Sequence, residues 1–209
     1  MNQSEPAAMS AREEILARVR LAIASSSGRS VHVPRDYRTE ASSEIPMFLD
    51  RLAHYEAAAR VVDESGLEHA VRSMLRARGA KRVVSPAGIP AAWLAEVEPL
   101  CDAPLLTPDQ LDGADGVVTT CAAAIALTGT IVLDGSPGMG RRALTLVPDY
   151  HLCVVRAAQL VGSVPEAIAA LEPSRPLTFI SGPSATVDIE MVRVRGVHGP
   201  RTLEVIVVS

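Results

Sequence analysis

Apolar residues follow two rhythms along this chain, and the points where the rhythm changes divide it into elements. The opening stretch "SAREEILARVRLAIA" pairs Ser10 with Glu13 as a capping box and sets Ile15, Leu16, Val19 and Ile23 at helical spacing, so it predicts a helix. Residues 25–45, "SSSGRSVHVPRDYRTEASSEI", have no period and are rich in Ser, Pro and charge; they read as a linker or a wrapping arm. The chain is therefore divided into an N-terminal helix with its arm, 1–45, and one α/β domain, 46–209.

Within that domain helical and strand patterns alternate. A helix is predicted around 48–59, followed by the strand "ARVVD" and a helix opened by a second capping pair, Ser65 with Glu68, that ends near Gly79. "RVVSP" is a strand, Pro90 to about Val97 a helix, "APLLT" a strand, 108–112 a short turn or helix, and "GVVTT" a further strand. This alternation predicts a mainly parallel sheet flanked by helices on both faces. The second half differs. "TGTIVLDG" and "RRALTLVP", joined by "GSPGMG", predict a hairpin with 134–142 as its exposed turn. "HLCVVRA" is a strand, Ser163 with Glu166 caps a helix running to Leu171, and "LTFIS" and "LEVIVV" are buried strands. No internal repeat is visible.

Composition narrows the function classes. With 209 residues, 48% of them hydrophobic, the chain can bury a sizeable core. A net charge of -4 and no long basic run argue against nucleic acid as a partner. The three cysteines, Cys101, Cys121 and Cys153, are far apart with no C-x-x-C, which excludes a disulfide framework and a self-contained iron–sulfur or structural zinc site. His32 and His54 offer no i, i+4 pair, so no metal site is expected. No apolar stretch approaches the roughly 20 residues that span a bilayer, and the N-terminus lacks a signal-peptide core, so a cytoplasmic protein is expected. Lys81 is the only lysine among twenty basic residues; at the start of a strand it reads as solvated, which leaves little room for Schiff-base chemistry.

Three segments carry candidate chemistry. In "TTCAAAIALTGT", Gly129 permits close backbone approach and the hydroxyls of Thr128 and Thr130 can donate to an anion; the alternative is a turn that lets a small-residue helix pack tightly. Cys121 in the same segment has no neighbouring histidine and reads as a buried small residue rather than a nucleophile. "DGSPGMGRR" joins three glycines to Arg141 and Arg142, either as a mobile hairpin tip or as an anion clamp; it is neither a Walker loop nor a dinucleotide fingerprint. The third segment, "ISGPSATVDIEMVRVRGVHGP", lies past the carboxyl end of one predicted strand, where open α/β sheets bind ligands. Its Gly182-Pro183 forces a turn, and Ser184 or Thr186 can cap a short helix. Asp188 and Glu190 can orient arginines or move protons, and His198 can titrate near neutrality; alternatively all three are solvated or satisfied locally.

Taken together, "TGTIVLDG…GRRALTLVPDYHLCVV", "ISGPSATVDIE" and "GVHGP" resemble the LUD-domain family, in particular its lactate-utilisation protein C (LutC, YkgG) type, over about residues 110–208. The resemblance implies a NagB/RpiA/CoA-transferase-like fold. It also implies a role in oxidising L-lactate to pyruvate, with iron–sulfur clusters carried by LutA-like and LutB-like partners and no cofactor in this chain. Carried over by motif, the pocket residues are Thr128, Gly129, Thr130, Arg142, Ser181, Gly182, Pro183, Ser184, Asp188, Glu190 and His198, binding a small anionic molecule; no residue is singled out as catalytic. One departure stands out: many family members have an acid just before T-G-T, where this chain has Leu127. Acyl transfer through a glutamate at that position is closed to it. Two readings follow: a carboxylate-binding subunit of a lactate-oxidising assembly, or an independent small-molecule transferase or ligase of the same fold.

Overall fold

The computed structural model describes residues 10–25, 32–186, 194–196 and 198–209. Two compact units result, Met1–Tyr37 and Arg38–Ser209. The first holds helix α1, Ala11–Ser25. Its predicted capping box forms: Ser10 Oγ accepts from the Glu13 amide at 3.3 Å and the Glu13 carboxylate accepts from the Ser10 amide at 2.9 Å. The apolar residues Ile15, Val19 and Ile23 are nevertheless exposed.

The second unit begins with α2 (Ile45–His54), β1 (Ala58–Val62), α3 (Leu67–Ala77), β2 (Arg82–Ser85) and β3 (Glu98–Cys101). It continues with α4 (Pro108–Asp112), β4 (Gly116–Thr119), β5 (Ala123–Ile125), β6 (Thr130–Leu133), β7 (Tyr150–Arg156) and β8 (Leu160–Val161). Last come α5 (Val164–Ala170), β9 (Thr178–Ile180), β10 (Ala185–Thr186), β11 (Val194–Arg195) and β12 (Thr202–Val208). Six strands form a fully parallel sheet in the order β1-β12-β7-β4-β2-β3. Four more form a mixed sheet, β8-β5-β6-β9, and β10 pairs with β11. The mainly parallel α/β architecture is thus as the alternation predicts.

Parallel strands buried on both faces read as continuous apolar runs, as "HLCVV" and "LEVIVV" do. Under one face α3 packs Leu67, Val71 and Leu75 against Leu152, Val154 and Ile206. The opposite face meets Phe48 and Leu52 of α2 together with Ala124, Ile131 and Leu133 of the mixed sheet. Each fully buried side chain of this kind contributes about 1.5–3 kcal/mol. Beyond the mixed sheet, α5 places Ala167 against Ile125 and Val132.

Several local expectations are corrected. The third strand of the main sheet is Glu98–Cys101, not 103–107; carrying Pro99, which has no amide to donate, it sits at the sheet edge where that is tolerated. The helix expected at 90–97 shrinks to a single 3-10 turn, Ala91–Leu94. The capping pair expected at Ser65 and Glu68 is absent: α3 starts after Gly66 with no side-chain cap, and Asp63 caps the 3-10 turn before it, accepting from the Gly66 amide at 2.7 Å. No small-residue helix forms in 119–130, because Ala123–Ile125 pairs with Thr130–Leu133.

The predicted hairpin across 134–142 is also absent, since β6 pairs with β5 and β9 and leaves no free edge for it. Residues 142–145 instead make a 3-10 turn. The glycine loop before that turn is pinned to the main sheet's own loops, with Gly138 donating to Ala87 O at 2.6 Å and accepting from the Thr120 amide at 2.8 Å. Gly138 and Met139 are buried, so this segment is no exposed tip.

Candidate functional site

The T-G-T and S-G-P motifs meet on the end of α2. Gly129 has φ 61°, and a methyl group there would lie 2.7 Å from Arg51 Cβ; Gly182 has φ 91°, and a methyl group would lie 2.5 Å from Tyr55 Cβ. Both positions therefore exclude any side chain, and the close approach each glycine allows is to α2. This seating places three hydroxyls in line. Thr128 and Thr130 Oγ1 are 2.7 Å apart, and Thr130 Oγ1 is 2.7 Å from Ser181 Oγ.

Ser181 opens onto a cavity of about 240 Å³, whose lining also includes Arg142, Thr145, His151, Ser184 and His198. That volume is below the roughly 300–1,000 Å³ of drug-sized ligand sites, so it suits a small molecule. Ser184 holds the rim together: its amide donates to Pro200 O at 2.8 Å, its carbonyl accepts from Gly196 and its hydroxyl accepts from the His198 amide at 3.2 Å. The cavity lies where β9 ends and where β7 and β12 begin, near His151 and Leu203. It is therefore at the amino ends of the main sheet's strands, and only the antiparallel strand β9 presents its carboxyl end to it. The expected position beyond carboxyl ends holds for β9 alone because "LTFIS" joined the mixed sheet.

The electrostatics of the cavity centre on Arg142. Its guanidinium donates to Thr145 Oγ1 at 3.2 Å, and among the described residues no carboxylate pairs with it. Its side chain is exposed at one end, and the partial burial of the rest lowers its pKa from the ordinary arginine value; a guanidinium remains charged. Its neighbour behaves differently. Arg141 makes a bidentate pair with Asp102 at 2.8 and 2.9 Å and donates to Leu106 O. The Arg141 guanidinium in turn holds the Asp102 carboxyl below the usual range.

Of the residues named from sequence, Arg142, Ser181, Gly182, Pro183, Ser184 and His198 line the cavity. Thr130 and Thr128 stand behind Ser181 as hydrogen-bond partners, while Gly129 is buried against α2. Asp188 and Glu190 lie outside the described residues. Leu127 is partly exposed and absent from the lining. Cys121 is buried, and the Cys153 thiol beside it, together with that burial, pushes its thiol well above the ordinary value; this suits packing rather than attack.

Sequence reasoning missed His151. Only 1% exposed, it lies at the cavity with Nε2 2.7 Å from Thr119 Oγ1, itself fully buried. A histidine inside an otherwise apolar run was the available signal. Among the described residues no three His, Cys, Asp or Glu side chains gather as a metal-ligand set, and no helix is long and apolar enough to cross a membrane.

A family model described as the LUD domain matches residues 107–208. A protein of Deinococcus radiodurans called Lactate utilization protein C is 46% identical over 210 residues, covering 98% of each chain. The chain belongs to the LUD-domain family. The Escherichia coli protein called Uncharacterized protein YkgG is 35% identical over 81 residues, or 35% of each chain. A crystal structure of a DUF162 family protein from Deinococcus radiodurans superposes with a TM-score of 0.68 at 44% identity, covering 79% of this chain and 96% of that one. Every residue lining the cavity falls inside the LUD-domain match, whereas α2, which seats both motif glycines, precedes it.

Proposed function

We propose that this chain is the C-type subunit of an L-lactate utilisation system and that its cavity binds a small carboxylate. The role in lactate utilisation is supported by the relative named Lactate utilization protein C, similar across nearly the whole of both chains. The observation that carries the ligand class is Arg142, a charged guanidinium at a small cavity with no carboxylate partner among the described residues. A planar fork of donors matches a carboxylate in two-point geometry, and the hydroxyls of Thr145, Ser181 and Ser184 can satisfy its remaining lone pairs. In this reading electrons leave lactate through LutA-like and LutB-like partners that carry iron–sulfur clusters, and this subunit holds or hands over the carboxylate. The test is co-expression with such partners, co-purification, and an L-lactate oxidation assay with and without this chain. Retention on the partners and a rate that depends on this chain are expected; no association and an unchanged rate would reject the reading.

A further inference from the structure

Resting on that reading of Arg142, we infer that His151 makes the site selective for carboxylates that bear an oxygen on the neighbouring carbon, in the hydroxy and the oxo form alike. Three observations point there. His151 and Arg142 line the same cavity, from β7 and from the turn that precedes it, so a ligand gripped at its carboxylate by one can reach the other. The imidazole is buried to 1% exposure with Nε2 engaged by the Thr119 hydroxyl at 2.7 Å. Among the described residues Thr119 Oγ1 is the one oxygen or nitrogen atom bonded to the ring, the Cys153 thiol lies beside it, and the ring lines the cavity, so Nδ1 is the nitrogen left for a ligand.

The partner on Nε2 matters because a hydroxyl both donates and accepts. When the Thr119 hydroxyl donates, Nε2 is bare and the ring proton sits on Nδ1, ready to donate to a ligand carbonyl oxygen. When it accepts, the proton sits on Nε2, and Nδ1 can accept from a ligand hydroxyl. A rotation of one buried hydroxyl therefore fits the site to a 2-hydroxy acid or to its 2-oxo counterpart without moving any backbone. A carboxylate with neither group leaves Nδ1 unpaired, and an unmade hydrogen bond at a buried group is penalised more than a made one is rewarded.

The test titrates the full-length chain by calorimetry with L-lactate, pyruvate and propanoate, which share a three-carbon carboxylate and differ at the second carbon. The wild type is expected to bind lactate and pyruvate about ten-fold more tightly than propanoate, the scale of one hydrogen bond. His151→Leu should reduce that ratio to about one with propanoate affinity retained, whereas Arg142→Ala should weaken all three together. Should His151→Leu fail to fold, Thr119→Val carries the test: it removes the switchable partner, and the ratio should fall several-fold while Thr119→Ser keeps it. Propanoate binding as tightly as lactate, or a ratio unchanged by His151→Leu or by Thr119→Val, would overturn the inference and leave the carboxylate reading intact. Failure of all three acids to bind would overturn both.

Discussion

The two faces of β7 have opposite characters. Leu152 and Val154 point under α3 into an aliphatic core that they share with Val71, Leu75 and Ile206. One residue either side in the alternation, His151 and Cys153 point toward the mixed sheet, with Thr119 in register with Cys153 on the neighbouring strand. The first face is apolar apart from Tyr150, whose hydroxyl donates to the Glu204 carboxylate at 2.7 Å at the strand's start. The second carries buried polar atoms that need partners, and it is where the cavity opens. A strand that serves both purposes keeps the site rigid, because its backbone is fixed by pairing with β4 and β12 while its other side is held by packing.

The sharpest way to break this contrast is on the α3 side. Leu152→Ala should destabilise the chain by about 2–5 kcal/mol in chemical denaturation, as fully buried leucines do, and should leave the affinity of the folded fraction unchanged. A smaller effect is expected at the pair that flanks the cavity's own arginine. Asp102→Asn removes the bidentate contact to Arg141 and weakens the bond from the Leu106 amide, so a loss of about 1–2 kcal/mol is expected near neutral pH. Because the folded Asp102 pKa is depressed, its contribution is fully present above the unfolded carboxyl value of about 4 and disappears as pH falls through the lower folded value. The wild-type advantage over Asp102→Asn should shrink along that acid limb when urea midpoints are compared.

Smaller still, Thr130→Val interrupts the hydroxyl row between Thr128 and Ser181 and should cost about 1 kcal/mol. At the bottom of the scale, Ile15→Ser and Ile23→Ser on α1 should stay within about 0.5 kcal/mol, because both side chains are exposed, at 61% and 66%. A large loss at either would show that α1 is buried in solution.

How much of this was readable in the chain depends on how local the cause is. The caps at Ser10 and Ser163 and the strands "RVVS", "GVVT" and "HLCVVR" are set by neighbours a few residues away, and they form where the pattern put them. The hairpin at 134–142 failed because its outcome hangs on which strands claim the edges of β6, a matter settled by residues 123–125 and 178–180. The residue chemistry of "RR" does not separate Arg141 from Arg142; in the structure they differ through Asp102, 39 residues from Arg141, which pairs with Arg141 while Arg142 lines the cavity. His151 was hidden for a related reason. A strand buried on both faces shows no alternation, so nothing in "HLCVV" says which side looks into a cavity. The contacts that require glycine at 129 and 182 are to Arg51 and Tyr55, residues outside both motifs, so the motifs alone do not reveal them.

Carboxylate binding at Arg142 underlies the proposed function. It is tested most directly by calorimetric titration of L-lactate and pyruvate into the wild type, Arg142→Ala and Arg142→Lys, with thermal melts to show that all three fold. Arg142→Ala is expected to weaken binding by about 1.5 kcal/mol, near ten-fold, the low end for a charged hydrogen bond because the side chain keeps some contact with solvent. Arg142→Lys should recover only part of it, since a point charge cannot reproduce the fork. Equal affinities in all three proteins would contradict the account.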